Sequence, residues 1–385
     1  MTNEPPIATA YRIVRVEVVL DDPGGNPALC RAANGDLLIA HSTVWETVPT
    51  GGRVEMIRSL DDGHTWSKPT VIARPRCDAW NIQMWSGLHV MGDGSLIMSY
   101  SHLRTPKRDG AGPEETNPGK IWHIGSARSL FEGFIVRSTD HGQKWSDPIP
   151  VLPPGGDLWV GGRPVTVPDG SVLVPLYFGC KTFLNTREAN RLVCGFVRST
   201  DHGRTWGDLE PIATGPVGYN EVTMTVAADG DIVAILRDGE AGPRRQFRQT
   251  LSRDSGRTWE TPELIDMWGK MPDALTLPSG RILLAVGSVD CMDGNLIYQV
   301  PLRPSYSGLF VSDDHGRTWQ RDVMFQSPDP EHLVPFDAPV MVSLRSGNVL
   351  VMSVAVDRRQ RNNPRSGWDA GLVYVINELA PRTRP

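Results

Sequence analysis

RSTDHGQKW (137–145) and RSTDHGRTW (198–206) are near copies, and the same pattern returns as RSLDDGHTW (58–66), LSRDSGRTW (251–259) and VSDDHGRTW (311–319). Five instances of S-x-D-x-G-x-[TK]-W make an internal repeat the organising feature of the chain. Their aspartates, Asp61, Asp140, Asp201, Asp254 and Asp314, are separated by 79, 61, 53 and 60 residues, so the boxes punctuate successive structural units. Within a box the carboxylate can accept backbone N–H bonds across a tight turn, and the glycine supplies a positive φ. The tryptophan is expected to pack as a large apolar plug.

A second repeat interleaves with the boxes. ALCRAANGDLLIAH (28–41), GLHVMGDGSLIMSY (87–100), VTVPDGSVLVPLY (165–177), MTVAADGDIVAIL (224–236), LTLPSGRILLAVG (275–287) and VSLRSGNVLVMSV (342–354) each run apolar strand, Gly-containing turn, apolar strand. These are six hairpins, read from period-two segments around turn residues. Hairpin, third strand, box turn and fourth strand make the blade of a propeller. The expected fold is all-β: one domain over residues 1–385, a six-bladed β-propeller of four-stranded sheets. The sixth hairpin is followed by GLVYVI (371–376) but no box, so YRIVRVEVVL (11–20) is expected to supply the missing strand and close the ring, removing an exposed edge. Longer insertions fall at 101–128, 179–192 and 355–369, and loops of such length are commonly functional.

Composition narrows the function classes. The 385 residues carry 39 Lys plus Arg against 44 Asp plus Glu, a formal charge of −5 with both signs scattered, so no basic field for nucleic acid is present. Cys30, Cys77, Cys180, Cys194 and Cys291 are odd in number and widely spaced, which argues for reduced thiols and against a zinc ribbon. No leader-like start and no apolar run of about 20 residues is present, so a cytoplasmic protein without membrane attachment is expected.

The repeated box is the Asp-box, or bacterial neuraminidase repeat, and the chain resembles the sialidase-like superfamily of six-bladed propellers. That resemblance implies an exo-glycosidase with a funnel on the propeller axis, three arginines for the sugar carboxylate, a Tyr nucleophile assisted by a Glu, and an Asp acid/base. GYNEVTMTVAADGDIVAILRDG (218–239) is similar to the superfamily's N-E…D-G…R stretch, placing Glu221 on its glutamate and Arg237 on its second arginine. Elsewhere the pattern departs. Gly25-Asn26-Pro27 stands where the first arginine is expected, Arg53 and Glu55 stand without a matching Asp, and Phe336-Asp337 stands where the Tyr is expected. Arg303 is displaced by a few residues from the position of the third arginine.

Propeller geometry gives its own set of site residues, because the chain just before each innermost strand lies at the tunnel mouth. Those positions hold Asn26; Asn81, Gln83 and Trp85; Trp159 and Arg163; Tyr219, Asn220 and Glu221; Asp273; and Asp337. Glu221, Asp273 and Asp337 are candidate catalytic carboxyls, and Arg163, Arg237, Tyr219, Asn220, Trp159, Asn81, Gln83 and Trp85 candidate sugar contacts. His102 and His123 flank the first insertion and are candidates on a lid. The expected activity is hydrolysis of a terminal sugar from an oligosaccharide other than a standard sialoside, with no cofactor and no metal. Two alternatives stay open: a uronate-directed lyase using His102, His123, Tyr219 and Arg163, and a non-catalytic glycan-binding propeller.

Overall fold

In a computed structural model the described residues are 10–21, 23–44, 52–75, 81–104, 130–151, 158–178, 193–213, 218–238, 246–287, 307–357 and 370–378. They contain strands and turns and no helix. Six antiparallel sheets follow one another along the chain. Blade 1 is β2 (Pro27–Arg31), β3 (Leu37–Ser42), β4 (Val54–Ser59) and β5 (Thr70–Ala73). Blade 4 repeats it with β16 (Tyr219–Val226), β17 (Ile232–Asp238), β18 (Gln246–Ser252) and β19 (Glu263–Trp268), and blade 5 with β20 (Lys270–Thr276), β21 (Ile282–Gly287), β22 (Gly308–Ser312) and β23 (Gln320–Met324).

Blades 2 and 3 depart from the expected four strands because the innermost strand is broken in two. Blade 2 opens on β6 (Asn81–Gln83) and β7 (Leu88–Val90), both paired with β8 (Leu96–Arg104), and continues through β9 (Leu130–Ser138) and β10 (Ile149–Pro150). Blade 3 opens on β11 (Leu158–Val160) and β12 (Val165–Thr166), both paired with β13 (Val172–Phe178), followed by β14 (Val193–Ser199) and β15 (Leu209–Ala213).

Blade 6 closes the ring as expected. Its inner three strands, β24 (Leu333–Ser343), β25 (Val349–Asp357) and β26 (Ala370–Glu378), are joined by β1 (Tyr11–Asp21), which runs antiparallel to β26 from Tyr11↔Glu378 to Asp21↔Ala370. Asp322 of blade 5 anchors the entry of β1 by accepting the N–H groups of Ala10 and Tyr11 at 2.6 and 3.1 Å.

Burial explains the composition of the strands. Second strands such as β3 (LLIAHS) and β21 (ILLAVG) are buried throughout, since each is flanked by strands on both edges and by neighbouring blades on both faces. The outermost strands alternate or lie half open, as β1 and β5 do. The core is therefore distributed as apolar layers between adjacent blades. Five of these layers each receive a box tryptophan at the margin: Trp66 in the layer that holds Leu37 and Leu350, Trp145 in the one that holds Leu38 and Leu96, then Trp206, Trp259 and Trp319 in the layers that follow. These indoles are half-buried, so they wedge neighbouring blades together from the rim and are not the interior plugs expected from sequence. The layer between blades 5 and 6 has no box tryptophan; Tyr11, Phe325 and Tyr374 fill it, the last two stacked at 5.0 Å.

The boxes are turns of one design. In blade 4 the Asp254 carboxylate accepts the Thr258 hydroxyl at 2.6 Å, the Thr258 N–H at 2.8 Å and the Ser252 hydroxyl at 2.9 Å, while the Ser252 oxygen accepts the Gly256 N–H. The residue before the glycine is left-handed in every copy, with φ of 60° at Asp62 and His141, 59° at His202, 58° at Ser255 and 62° at His315. A carbonyl at the turn receives a side chain from the preceding blade: Arg58 donates to His141 O, Arg137 to His202 O, Arg198 to Ser255 O and Gln249 to Gly316 O. The box thus joins blade to blade at the end of the ring away from the site described below.

The hydroxyl and amide of Thr258 hold the Asp254 carboxyl down at about 2, against 3.8 for an ordinary Asp. Asp201 is also held down to about 2, its partial desolvation outweighed by bonds from Thr205 and Ser199. A carboxyl depressed in the folded state stabilises above its unfolded pKa, and this contribution disappears as pH falls through the folded value. Calorimetry should therefore show a thermal midpoint that does not respond to these groups above pH 5 and declines between about pH 4 and pH 2. A midpoint constant down to pH 2 would contradict this role of the boxes.

Candidate functional site

At the end of the ring opposite the boxes, the innermost strands bulge as they enter. In blade 4 the pairing jumps from Asn220↔Arg237 to Thr223↔Ile235, leaving Glu221 and Val222 as the bulge; in blade 5 it jumps from Lys270↔Gly287 to Asp273↔Ala285. Each bulge turns through a left-handed residue, Glu221 at φ 44° and Met271 at 48°, with Ser86 at 52°, Gly162 at 112° and Ala338 at 46° in blades 2, 3 and 6. Such a conformation costs a non-glycine residue about 1–3 kcal/mol and persists only where its surroundings enforce it. The N–H of the left-handed residue reaches back to the preceding blade, Ser86 to Pro27 O and Gly162 to Trp85 O, both at 3.0 Å. Between blades 4 and 5 the acceptor changes: Met271 N–H donates to the Glu221 carboxylate at 2.8 Å.

Glu221 is consequently held from two sides. Its Oε1 lies 2.5 Å from Arg237 Nη1, its Oε2 accepts from Met271, and Arg237 Nε donates to Asn220 Oδ1 at 2.8 Å. Asn220 and Arg237 are direct partners across β16 and β17, so the hairpin register alone brings this trio together. Both side chains of the ion pair keep a little solvent contact, 12% and 11%. Behind them Arg248 pairs with Asp238 at 2.6 Å, and burial drives the Cys194 thiol well above its ordinary pKa.

Arg163 and Asp273 form a second unit, different in kind. The Asp273 side chain is wholly buried and accepts Arg163 Nε at 2.9 Å, Arg163 Nη2 at 2.5 Å, Met341 N–H at 2.8 Å and the Ser86 hydroxyl at 3.1 Å. Arg163 Nη2 also donates to Met341 O at 2.6 Å. These residues belong to blades 2, 3, 5 and 6, so the pair spans the axis. Asp273, expected to be a catalytic carboxyl, has no surface on which a substrate could sit, and the Arg163 fork is committed to protein acceptors.

Several expected sugar contacts also turn inward. Trp85 is 1% exposed and belongs to the core, not to a stacking face; Trp159, 6% exposed, lies against Tyr177 at 6.2 Å with the rings nearly parallel. Gln83 Nε2 donates to Val44 O at 2.8 Å, stitching blade 2 to blade 1, and Asn81 Oδ1 accepts from Ile82 N–H. Asn26 is buried, as is Tyr219, whose phenol burial raises above its ordinary pKa. His102 is a buried residue of β8 packed at 4.7 Å from Phe134, so it does not occupy a lid. His123 and Arg303 lie outside the described residues, as do the side chains of Phe336 and Asp337; the Asp337 backbone pairs with Val354 beside irregularities in β24. Sequence reading missed Ser86, Met271 and Met341, which contribute a hydroxyl or backbone groups to the two units. The only sequence trace of these backbone roles is the interruption of hydrophobic alternation at strand entry.

Six sheets around an axis, boxes at one end and a bound Arg–Glu pair at the other, define an Asp-box β-propeller with an axial polar site. The BNR repeat-like domain family matches residues 115–329, and the chain belongs to that family and to the sialidase-like superfamily. A sialidase of Paraclostridium sordellii is 23% identical over 247 residues, covering 61% of this chain and 56% of its own length. The chain spans about half the length of the curated relatives it matches, 56% and 49%. Among solved structures, a protein of unknown function from Dyadobacter fermentans superposes with a TM-score of 0.71 at 19% identity, covering 96% of this chain and all of the other. The intramolecular trans-sialidase of Ruminococcus gnavus, in complex with oseltamivir carboxylate, superposes at 0.65 with 13% identity, covering 95% and 98%. At these identities the structural likeness concerns the fold.

Proposed function

We propose that the protein is an exo-acting glycoside hydrolase that removes a terminal sugar from an oligosaccharide and that this sugar is not a standard sialoside. The observation that carries the reading is the Glu221–Arg237–Asn220 unit, which keeps a little solvent contact at the axial mouth and is held by a strained bulge. Both Glu221 oxygens are acceptors, a pattern that suits a carboxylate supporting a nucleophile or an oxocarbenium-like transition state. Asp337, the remaining carboxyl of the three expected from sequence, takes the acid role in this reading.

The departure from sialosides rests on the arginines. A carboxylate is gripped best by two parallel N–H groups along one edge of a guanidinium. Arg237 has one nitrogen of each such edge engaged, Nε on Asn220 and Nη1 on Glu221, and Arg163 is consumed by Asp273 and Met341. Among the described residues, these two arginines therefore do not present the free fork an acidic sugar would use, and a terminal sugar without a carboxylate fits better. The lyase alternative depended on His102, His123, Tyr219 and Arg163 at the substrate; His102 and Tyr219 are buried and Arg163 is bound to Asp273, while His123 lies outside the described residues. The test is a panel of aryl glycosides with neutral and acidic terminal sugars, alongside uronate oligosaccharides. Release of aglycone from a neutral glycoside is expected; cleavage of sialosides alone, or new ultraviolet absorbance from an unsaturated uronate, would overturn the proposal.

A further inference from the structure

We infer that Asp273 is a positioning residue for Glu221, acting through the bulge that opens β20. Met271 is left-handed at φ 48°, a conformation its own side chain does not favour, and its N–H is one of the two donors that fix the Glu221 carboxylate. Two residues later the chain is pinned by Asp273, which is fully buried, bound by four donors, and the first residue paired with β21 after the bulge. On one side of this short segment stands Glu221, on the other the cross-axis pair.

The pinning groups lie far apart in sequence. Arg163 is 110 residues from Asp273, Met341 is 68 and Ser86 is 187, so each brings a different blade to one carboxylate. Arg163 and Asp273 together hold both the N–H and the carbonyl of Met341, fixing the blade 6 entry strand as well. A buried carboxylate with this many charge-assisted bonds has one arrangement available to it. The direction of the Met271 N–H, and with it the rotamer of Glu221, follows from that arrangement. Arg237 from β17 faces Glu221 as a charged group, and the Cys194 thiol from β14 as a titratable one that burial keeps neutral.

The kinetic arm of the test rests on the hydrolase proposal; the spectroscopic arm does not. With methionine labelled in 15N, the Met271 amide resonance should report its bond to the Glu221 carboxylate, and Glu221→Gln should shift that resonance, assigning the bond. Asp273→Asn keeps the shape and removes the charge that Arg163 requires. Ser86→Ala removes only the longest of the four bonds and leaves the ion pair intact, so it folds even if the first variant does not. In each variant that folds, the Met271 amide resonance should move toward its position in Glu221→Gln, more in Asp273→Asn than in Ser86→Ala. Against a substrate from the panel above, kcat should fall about 10- to 100-fold in Asp273→Asn with KM changed less than about twofold, the pattern of a displaced group and not of lost binding. A folded variant with the Met271 amide resonance of the wild type would overturn the inference. If the wild type cleaves no glycoside, the hydrolase proposal fails by itself and the amide resonance still decides the positioning role.

Discussion

Glu221→Gln should lower kcat about 10³-fold, the scale of a lost catalytic carboxylate, while the thermal midpoint stays within a few degrees of the wild type. Glutamine retains an oxygen for the Met271 N–H but no longer carries the charge that Arg237 faces at 2.5 Å. The fold should survive because the pair keeps some solvent contact and glutamine preserves the side-chain shape and an acceptor for the Met271 N–H. The contrast between activity and stability separates the readings. A carboxylate that merely ties blade 4 to blade 5 would show its loss in the melting curve, and turnover would decline only in proportion to unfolding. A variant that turns over like the wild type would remove Glu221 from the chemistry.

The second large effect is on stability. Gly162→Ala should cost about 4 kcal/mol, taking about 1–3 for a side chain at positive φ and a similar amount for overpacking. Gly162 stands at φ 112°, and a Cβ there would meet Val222 O at 2.1 Å and Pro175 Cγ at 2.9 Å. The first of these is backbone of the next blade and can yield only if blades 3 and 4 part. The same glycine donates its N–H to Trp85 O of blade 2, so three blades depend on one position. Gly170→Ala is the control: φ is 84° but nothing lies within 4 Å, and the cost should be about 1 kcal/mol, from backbone strain alone. Denaturant unfolding of the two variants measures the difference. Equal losses would show that Gly162 is needed only for its φ and not for the approach of the blades.

These results bear on what the sequence could disclose. Box turns and hairpins were readable because their bonds close within four residues: Ser252, Asp254, Gly256 and Thr258 satisfy one another, and a pattern in the chain is a pattern in space. The Glu221–Arg237 pair was readable for a related reason, since Asn220 and Arg237 sit opposite each other in a hairpin whose turn is visible at Ala228-Asp229-Gly230. The Arg163–Asp273 pair was not. Both residues were selected for their position at the tunnel mouth, but only closure of the ring reveals that they neutralise each other across the axis. Trp85 failed differently: the break between β6 and β7 leaves no alternation from which to tell an inward indole from an outward one. Gln83 and Asn81 were misassigned because a polar residue at a strand entry serves equally well to stitch blades or to touch a ligand, and local sequence does not distinguish these uses.

The central claim is that a glycoside binds at the axial mouth against Glu221 and Arg237. The most direct measurement is a crystal structure of the Glu221→Gln protein soaked with an oligosaccharide that the wild type cleaves. The account predicts an uncleaved chain with its terminal sugar within hydrogen-bond reach of Arg237 and of the residue at 221, and the remaining sugars leading out of the mouth. A sugar bound at the rim or at the box end of the ring, with the mouth unaltered, would contradict it.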